Sequence, residues 1–349
     1  MSLNVSDLAL KYAEQNLLPD RVMRFGIRRL LRDRLCEIRA DQTEVAAELS
    51  HSFVEAMQSA PIALLPELAN EQHYELPPEF FANVLGCNRK YSSCWWPSGV
   101  ETLDQAEEAS LSVTCERAGL ADGQTILELG CGWGSLTLWM AKHYPSSHIQ
   151  AVSNSNSQRA YIESEATRLG YSNVHVTTCD MNTFHASMPF DRIVSVEMFE
   201  HLRNWPEAFR RVRQWLNPDG RFFMHVFVHR LTPYEFIARD ATDWMSRYFF
   251  SGGMMPSDDL VAICQDDLKL VRQWRWDGTH YERTANAWLD NMDSSREVLW
   301  PILEAVYGKT EAPIWWVRWR LFFMSCAELF GYEKGQQWWV GHYLLAPRP

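Results

Sequence analysis

The sequence has 349 residues, enough to bury a large core as one enlarged domain or as one domain with additions. Its 33 basic and 44 acidic residues give a net charge of −11, which argues against nucleic-acid binding and disfavours an anionic membrane surface. No apolar run reaches the ~18 residues of a membrane span, and the start lacks a signal-peptide core. The eight cysteines show no metal-ligand spacing, so we predict no metal site and reduced thiols in a cytoplasmic protein.

Residues 1–118 are predicted to form an N-terminal helical extension and active-site cap. Apolar residues recur at helical spacing up to about residue 70, beside an arginine run that indicates a solvated helix face. Pro77 and Pro78 then break any helix within the segment HYELPPEFF. The segment KYSSCWWPSGVETLDQAEEA follows, in which Thr102 can cap a helix whose first turn holds Asp104.

The segment TILELGCGWGSLTL, residues 125–138, carries the most informative motif. Its apolar start predicts a buried strand, and three glycines at G-x-G-x-G spacing, Gly130, Gly132 and Gly134, predict a tight turn before a helix. Glycine has no Cβ, so backbone amides and a helix N-terminus can approach a ligand there. The alternative is a glycine turn without a ligand. Glu128, two residues before the first glycine, favours a cationic ligand, since it would repel a phosphate.

Residues 119–229 are predicted to form the central core, in which strands and helices alternate from 125 to 228, as is typical of a doubly wound parallel sheet. We predict a first strand that begins at Ile126 and Leu127 before the glycine turn, and further strands at 148–152, 174–178, 190–196 and 221–227, with an NPDG turn before the last of them. Ligands bind beyond the carboxyl ends of such strands. One rim of the sheet should therefore hold the residues at these ends, namely Gly130, Ser153, Asp180, Glu197 and His225.

Residues 230–349 are rich in aromatic side chains. They include Trp244, Phe249 and Phe250, and we predict an insertion after the fifth strand that covers the substrate as a lid. Further strands are predicted at 268–276 and 338–345. Aromatic faces can hold a cation or stack on a ring, although core packing is the alternative for each of these side chains.

Several segments together resemble one family. The motif E-x-G-x-G-x-G resembles motif I of the class I S-adenosylmethionine-dependent methyltransferases. The segments SSCWW, AVSNSNSQ, CDMNTF, FDRIVSVEMFEHLRN and GTHYERTANAW are similar to the group that joins cyclopropane-fatty-acid synthases to plant coclaurine-type N-methyltransferases. The segments HYELPPEFF, TLDQAEEA and FGYEKGQQW resemble the N-methyltransferase branch. The resemblance implies an α/β fold of the class I methyltransferase type, a Rossmann-like doubly wound sheet with an N-terminal helical extension and a C-terminal helical lid insertion.

The resemblance also implies roles for individual residues. The general base for an amine would be a Glu–His pair, Glu197 and His201, with Glu200 nearby; the alternative is that Glu200 and His201 only orient the following helix. S-adenosylmethionine would bind at Ser93, Glu128, Gly130, Gly132, Gly134, Asn154, Gln158, Asp180 and Met181. The substrate pocket would contain Cys94, Trp95, Trp96, His225, Trp244, Phe249, Phe250 and Tyr281. For Cys94 and His225, plain burial is the alternative.

Three functions follow from this interpretation. The favoured one is N-methylation of an apolar or aromatic, alkaloid-like amine by S-adenosylmethionine, with the small amine as partner. The second is methylene transfer to an unsaturated acyl chain, with bicarbonate bound by Cys94, Glu200, His225 and Tyr281, which resemble the synthases' bicarbonate-binding residues. The third is a binding module without catalysis, against which the intact Glu128, Gly130, Gly132 and Glu200 argue. The sequence does not identify the acceptor substrate, the number of methyl groups transferred or the oligomeric state. A homodimer is the one assembly that we consider.

Overall fold

The computed structural model describes residues 5–64, 76–239 and 243–348. Seven of its strands form one mixed sheet in the order β3-β2-β1-β4-β5-β9-β8, and two short strands, β6 and β7, pair separately. The strands are β1 Thr125–Leu129, β2 His148–Ser153, β3 Val174–Thr178, β4 Phe190–Val196, β5 Leu216–His229, β6 Tyr234–Glu235, β7 Met254–Met255, β8 Leu268–Trp276 and β9 Trp338–Pro347. Strands β1 to β5 are parallel, whereas β9 runs antiparallel to both β5 and β8.

Helices precede, separate and follow the strands. In chain order they are α1 Val5–Glu14, α2 Asp20–Glu37, α3 Thr43–Gln58, α4 Pro78–Val84, α5 Leu103–Ala118, α6 Ser135–His143, α7 Asn156–Leu169, α8 Trp205–Trp215, α9 Trp244–Tyr248, α10 Leu260–Ile263, α11 Thr279–Ser294 and α12 Arg296–Gly331. Single 3₁₀ turns lie at Phe199–His201 and Tyr332–Gly335. The helix α12 is interrupted at Gly308, whose φ is 77°. Within the described ranges, no helix combines the length and apolarity needed to cross a membrane.

The predicted α/β fold is confirmed, with every predicted strand present. From β1 the strand order runs outward through β2 and β3 on one side and through β4 and β5 on the other. Because crossovers between parallel strands are right-handed, this reversal puts the connecting helices on opposite faces of the sheet. It also opens a crevice between the carboxyl ends of β1 and β4, where the predicted rim lies.

Local sequence signals explain where several of these elements begin and end. Thr102 and Gln105 form a capping box at the start of α5, which Gly119 ends with a left-handed φ of 65°. Asn204 caps α8 by accepting a hydrogen bond from the amide of Glu207. The NPDG turn expected before the fifth strand lies in the irregular start of β5: Leu216 pairs with Phe190, residues 217–220 have no paired partner among the described strands, and regular pairing resumes where Arg221 meets Arg192.

The N-terminal helices pack on the C-terminal half of the chain. Arg24 of α2 forms an ion pair with Glu328 of α12, and Arg320 of α12 binds Asp20 at the start of α2. The helical prediction for the first ~70 residues is confirmed up to residue 58, while residues 1–4 and 65–75 lie outside the described residues. The latter range includes His73, Tyr74 and Glu75 of the HYELPPEFF motif. All eight cysteines are free thiols.

Candidate active site

A cleft of about 1290 Å³, counted out to its open mouth, lies at the carboxyl ends of β1, β2 and β4. It is the crevice created by the reversal of strand order. Nine of the residues predicted for cofactor binding or catalysis line it: Glu128, Gly130, Gly132, Asn154, Gln158, Asp180, Met181, Glu197 and His201. The chain thus brings together residues up to about seventy positions apart. Ser93, Gly134 and Glu200 are absent from its walls.

The glycine loop after β1 owes its shape to backbone conformations that other residues rarely adopt. Gly130 has a φ of 80°, and a Cβ on it would lie 2.5 Å from the Cγ of Met198. Gly132 has a φ of 51°, but a Cβ there would meet no atom within 4 Å. Since Gly132 lines the cleft, a side chain at this position would extend into it. The first glycine is therefore required by packing and the second keeps the cleft open.

Glu128 is a buried carboxyl group on the cleft wall. Its side chain accepts a hydrogen bond of 2.5 Å from the Thr137 hydroxyl of α6 and is 2% exposed. Burial raises the pKa of Glu128 to about 8, against the opposing effect of the Thr137 hydrogen bond. A cationic group beside it would favour the ionised form. This end of the cleft is thus suited to a positively charged ligand group.

Several polar atoms of the cleft wall are buried without a hydrogen-bond partner. They are Thr114 Oγ1, Trp133 Nε1, Ser135 Oγ and Gln158 Nε2. Gln158 uses its other polar atom, Oε1, to accept from the Ser153 hydroxyl at 2.7 Å. An unsatisfied buried polar group is costly, so such a group at a cleft wall indicates a polar ligand that completes it. The cleft therefore suits a ligand with hydroxyl, carboxylate and ammonium groups.

Glu197 follows β4 with its backbone in the left-handed region, at φ 47°. Such a conformation is uncommon for a residue other than glycine and often marks a functional site. Three groups contact its carboxylate: the Ser93 amide donates to Oε1 at 2.8 Å, the Tyr281 hydroxyl donates to Oε2 at 2.8 Å, and His225 Nε2 lies 3.1 Å from Oε1. Burial raises the pKa of Glu197, although Lys90 and the hydrogen bonds from Ser93 and Tyr281 counteract it.

His201 and Glu200 follow in the 3₁₀ turn, with different surroundings. The His201 ring lines the cleft and stacks on Phe250, with centroids 4.9 Å apart. Burial lowers the pKa of His201 to about 4, so its imidazole is uncharged near neutral pH. Glu200 is fully buried and accepts the Phe227 amide at 2.8 Å, while its Oε2 has no partner. Burial and the charge of Glu197 raise the pKa of Glu200 well above its ordinary value, which favours the protonated form.

A loop at 86–93 brings a cation to this site. The carboxylate of Glu107 in α5 accepts hydrogen bonds from the amides of Gly86, Asn88 and Lys90, which fixes the loop on the helix. The Lys90 ammonium is buried and donates to the Ser92 hydroxyl and the Ser93 carbonyl at 2.6 and 2.5 Å. Lys90 also lines the cleft, and its charge acts on Glu197.

The predicted substrate residues separate into two groups. His225 and Tyr281 bind Glu197, Phe250 stacks on His201, and Cys94 and Trp96 both donate to Thr284 Oγ1 in α11. Trp95 stacks on Trp276, with centroids 5.9 Å apart. Burial raises the pKa of the Cys94 thiol to about 12, so it is neutral.

None of the eight predicted substrate residues, in either group, forms part of the cleft wall. The second group packs in the hydrophobic core. Phe249 is fully buried and stacks on Phe322 of α12, with centroids 4.4 Å apart. Trp244 packs against Phe249, and its indole Nε1 donates to Glu14 of α1 at 3.0 Å. These two rings are expected from the sequence in a lid over the substrate. They instead pack between the N-terminal and C-terminal helices.

The sequence interpretation did not single out several residues around the site. Lys90, Trp133 and Ser135 lie inside motifs that it quoted, and they adjoin residues that it selected. Arg117 and His342 lie outside the cleft and reach Glu197 through His225. No local pattern indicates His342, because its partner is set by the pairing of β5 with β9.

Comparison with known proteins finds relatives over most of the chain. Residues 66–338 match the family model of mycolic acid cyclopropane synthetase. The (S)-coclaurine N-methyltransferase of Thalictrum flavum subsp. glaucum is 35% identical over 344 residues, which cover 96% of this chain and 94% of the relative. The cyclopropane-fatty-acyl-phospholipid synthase of Escherichia coli K12 is 26% identical, with 84% of this chain and 74% of the relative covered.

A solved structure is similar over nearly the whole chain. It is a coclaurine N-methyltransferase bound to N-methylheliamine and SAH, with a TM-score of 0.93, 35% identity, and coverage of 97% of this chain and 98% of the other. Together with the matched family model and the identity to a curated relative over nearly the full length, this likeness establishes the family. The chain belongs to the mycolic acid cyclopropane synthetase family and is an S-adenosylmethionine-dependent methyltransferase.

Proposed function

We propose that this methyltransferase transfers a methyl group from S-adenosylmethionine to the nitrogen of an apolar or aromatic, alkaloid-like amine. Support comes first from the relatives. Coclaurine N-methyltransferases are 33–35% identical over nearly the whole chain, against 26% for the bacterial cyclopropane synthase. The similar solved structure is bound to N-methylheliamine.

The observation that carries the proposal is the position of the Glu197 carboxylate. His225 and Tyr281 resemble bicarbonate-binding residues of the lipid synthases, yet the Tyr281 hydroxyl donates to Glu197 Oε2 and His225 Nε2 lies 3.1 Å from Glu197 Oε1. A carboxylate of the chain itself therefore uses the donors that a bound bicarbonate would need. A fixed carboxylate at the end of β4 suits a protonated amine, whereas an alkene offers it no proton.

The cofactor would lie across the glycine loop. Its amino group would face Glu128, its polar groups would satisfy donors such as Gln158 Nε2, and Asp180 with Met181 would flank the adenine. Bound there, S-adenosylmethionine supplies an electrophilic methyl group. The residues of the chain orient the amine in line with that methyl group and exclude water.

Glu197 and His201 would act as the pair that takes the proton from the amine. An uncharged imidazole can accept a proton, and His201 is uncharged above about pH 4. The negative charge of Glu197 raises the pKa of His201, so the carboxylate strengthens the imidazole as a base. Glu200, which is buried away from the cleft, would support the turn between them.

The test measures transfer of labelled methyl groups from S-adenosylmethionine to two substrate panels. One panel contains apolar and aromatic amines, and the other contains vesicles of unsaturated phospholipid, each with and without bicarbonate. We expect methylation of amines only, independent of bicarbonate. Bicarbonate-dependent modification of the lipid, without amine turnover, would overturn the proposal.

Variants of the proposed base provide a second test. Glu197→Gln and His201→Gln should each lower kcat by roughly 10²–10⁴-fold and leave cofactor affinity nearly unchanged. Raising the pH should partly restore their rates, because more of the amine is then unprotonated. Glu163→Gln and His143→Gln are the controls, since both residues are exposed on helices away from the cleft. Base variants with the kcat of these controls would refute the assigned roles.

A further inference from the structure

Glu197 is the first residue of a buried hydrogen-bonded chain that leads away from the cleft. His225 Nε2 lies 3.1 Å from Glu197 Oε1, and His225 Nδ1 lies 2.9 Å from His342 Nε2. His342 Nδ1 lies 2.8 Å from a terminal guanidinium nitrogen of Arg117. We call these four residues the relay. It connects the proposed base to a half-buried cation in the last turn of α5.

The sheet holds the two histidines in register. His225 of β5 and His342 of β9 are paired residues of neighbouring antiparallel strands, and both are 0% exposed. The Trp276 ring of β8 packs on both imidazoles, with centroids 5.5 Å from His225 and 4.3 Å from His342. The two histidines are therefore shielded from water, so each of their ring nitrogens depends on its protein partner.

Both imidazoles are neutral. Burial and nearby cations lower the pKa of His225 well below its ordinary value, and burial does the same for His342, helped by His225 and Arg117. A neutral imidazole carries one N–H and one acceptor nitrogen. Each histidine in the relay therefore donates a hydrogen bond to one neighbour and accepts one from the other. Burial lowers the pKa of Arg117 to about 10, which keeps it cationic at neutral pH.

A guanidinium only donates hydrogen bonds. The Nδ1 atom of His342 must then accept, which places its proton on Nε2 and makes it the donor to His225 Nδ1. The same step places the proton of His225 on Nε2, where it points at Glu197. We propose that Arg117 is a positioning residue, which acts through His342 to fix the tautomer of His225 and so keeps an N–H directed at the Glu197 carboxylate.

The direction of the hydrogen bonds in the relay matters for catalysis, because the opposite direction would disturb the Glu197 carboxylate. If both histidines carried their protons on Nδ1, His225 would present a lone pair to the Glu197 carboxylate, and the two acceptors would repel each other. Glu197 would then lose one of its three donors and its fixed orientation. The kinetic part of this inference rests on the proposed function of Glu197, but the assignment of the tautomers does not.

The experiment detects the tautomers by nuclear magnetic resonance in the intact enzyme labelled with ¹⁵N-histidine. His225→Gln and His342→Gln assign the two signals by their disappearance. In the wild type we expect both histidines to be protonated on Nε2. In Arg117→Met at least one of them should change tautomer or show a mixture, and Arg117→Lys, which keeps an obligatory donor, should restore the wild-type pattern.

Arg272→Met is the matched control. The Arg272 guanidinium also stacks on Trp274, as that of Arg117 does, and Arg272 has no hydrogen bond to the relay. It should leave both tautomers unchanged. Protonation of either histidine on Nδ1 in the wild type, or wild-type tautomers in Arg117→Met, would overturn the inference.

Kinetics with an amine substrate provides the functional readout. Arg117→Met should lower kcat roughly tenfold or more at nearly unchanged KM, and Arg117→Lys should recover most of the loss. A kcat loss without recovery in Arg117→Lys and without a tautomer change would indicate a structural defect and contradict the inference. If no amine is turned over, the proposed function fails, and the tautomer measurement still decides the role of Arg117.

Discussion

The hydroxyl of Tyr281 donates to Glu197 Oε2 at 2.8 Å, although the two residues are 84 positions apart. Glu197 follows the fourth strand, whereas Tyr281 belongs to α11, which comes after the aromatic insertion. The C-terminal helices thus contribute directly to the site at the sheet's rim. Tyr281 stacks on Phe330 of α12, with centroids 4.2 Å apart, which holds its ring in place.

Tyr281→Phe should raise the pKa of Glu197, because the hydrogen bond from Tyr281 lowers it. The acidic limb of the pH profile of kcat/KM should then move to higher pH, and kcat should fall roughly tenfold, or about 1.4 kcal/mol of barrier. The measurement is a pH series of initial rates. Tyr12→Phe, at an exposed position, is the control. An acidic limb that stays in place would show that Tyr281 does not tune Glu197.

Gly132→Val should abolish or weaken S-adenosylmethionine binding at least tenfold, because the new side chain enters the cleft and the residue has a positive φ. Gly123→Val is a matched control for backbone strain, since Gly123 has a φ of 84° and open space around its Cα but does not line the cleft. Calorimetric titration of both variants separates the two effects. Equal affinities in the two variants would place the cofactor elsewhere.

Cofactor affinity should depend on pH through Glu128. Its pKa of about 8 lies above the ordinary value, and an ammonium group beside it favours the ionised form, so binding releases a proton. Affinity should therefore rise with pH up to about 7.5, above which an α-amino group begins to lose its own charge. Titrations in buffers of different ionisation enthalpy measure the proton release. Glu128→Gln should bind more weakly and show a flat pH dependence over this range; an unchanged slope would exclude Glu128 as the origin.

Trp244→Ala should lower stability by about 3 kcal/mol or more, as expected for the truncation of a buried tryptophan. The ring is 7% exposed and joins α1 to the C-terminal helices through Glu14 and Phe249. Denaturant unfolding measures the loss, and the KM values for amine and cofactor should change together. A raised KM for the amine alone, at wild-type stability, would return Trp244 to the substrate pocket.

Local pattern was sufficient to predict the fold. Alternating apolar segments and glycine or proline turns mark the strands, and the rim follows from the rule that parallel strands present their carboxyl ends to one edge. The NPDG segment agrees with this pattern, since its residues have no paired partner in the described part of the sheet and regular pairing of β5 resumes at Arg221.

The site was predictable only where its residues carry a motif. The glycine loop and the segment from Glu197 to His201 did so, and they line the cleft except for Gly134, Phe199 and Glu200. Arg117 and His342 lie in the segments CERA and HYLL, which resemble the N-methyltransferases, but these segments do not indicate a site role. The place of both residues beside His225 depends on which strand completes the sheet. Trp244 and Phe249 were assigned to a lid because aromatic composition alone does not distinguish a ligand wall from the core between two layers of helices.

The position of β9 between β5 and β8 has a consequence for synthesis on the ribosome. Within the described sheet, β8 is made before β9 and has no other strand to pair with, so it cannot join the sheet until β9 emerges. Until then, the backbone groups of β5 that later pair with β9 are unpaired at the edge of the sheet. The second half of β5 is buried in the finished fold, so this edge is apolar. Such an edge is prone to pair with other chains. The nascent protein therefore passes through an aggregation-prone stage, in which Glu197 also lacks its connection to His342.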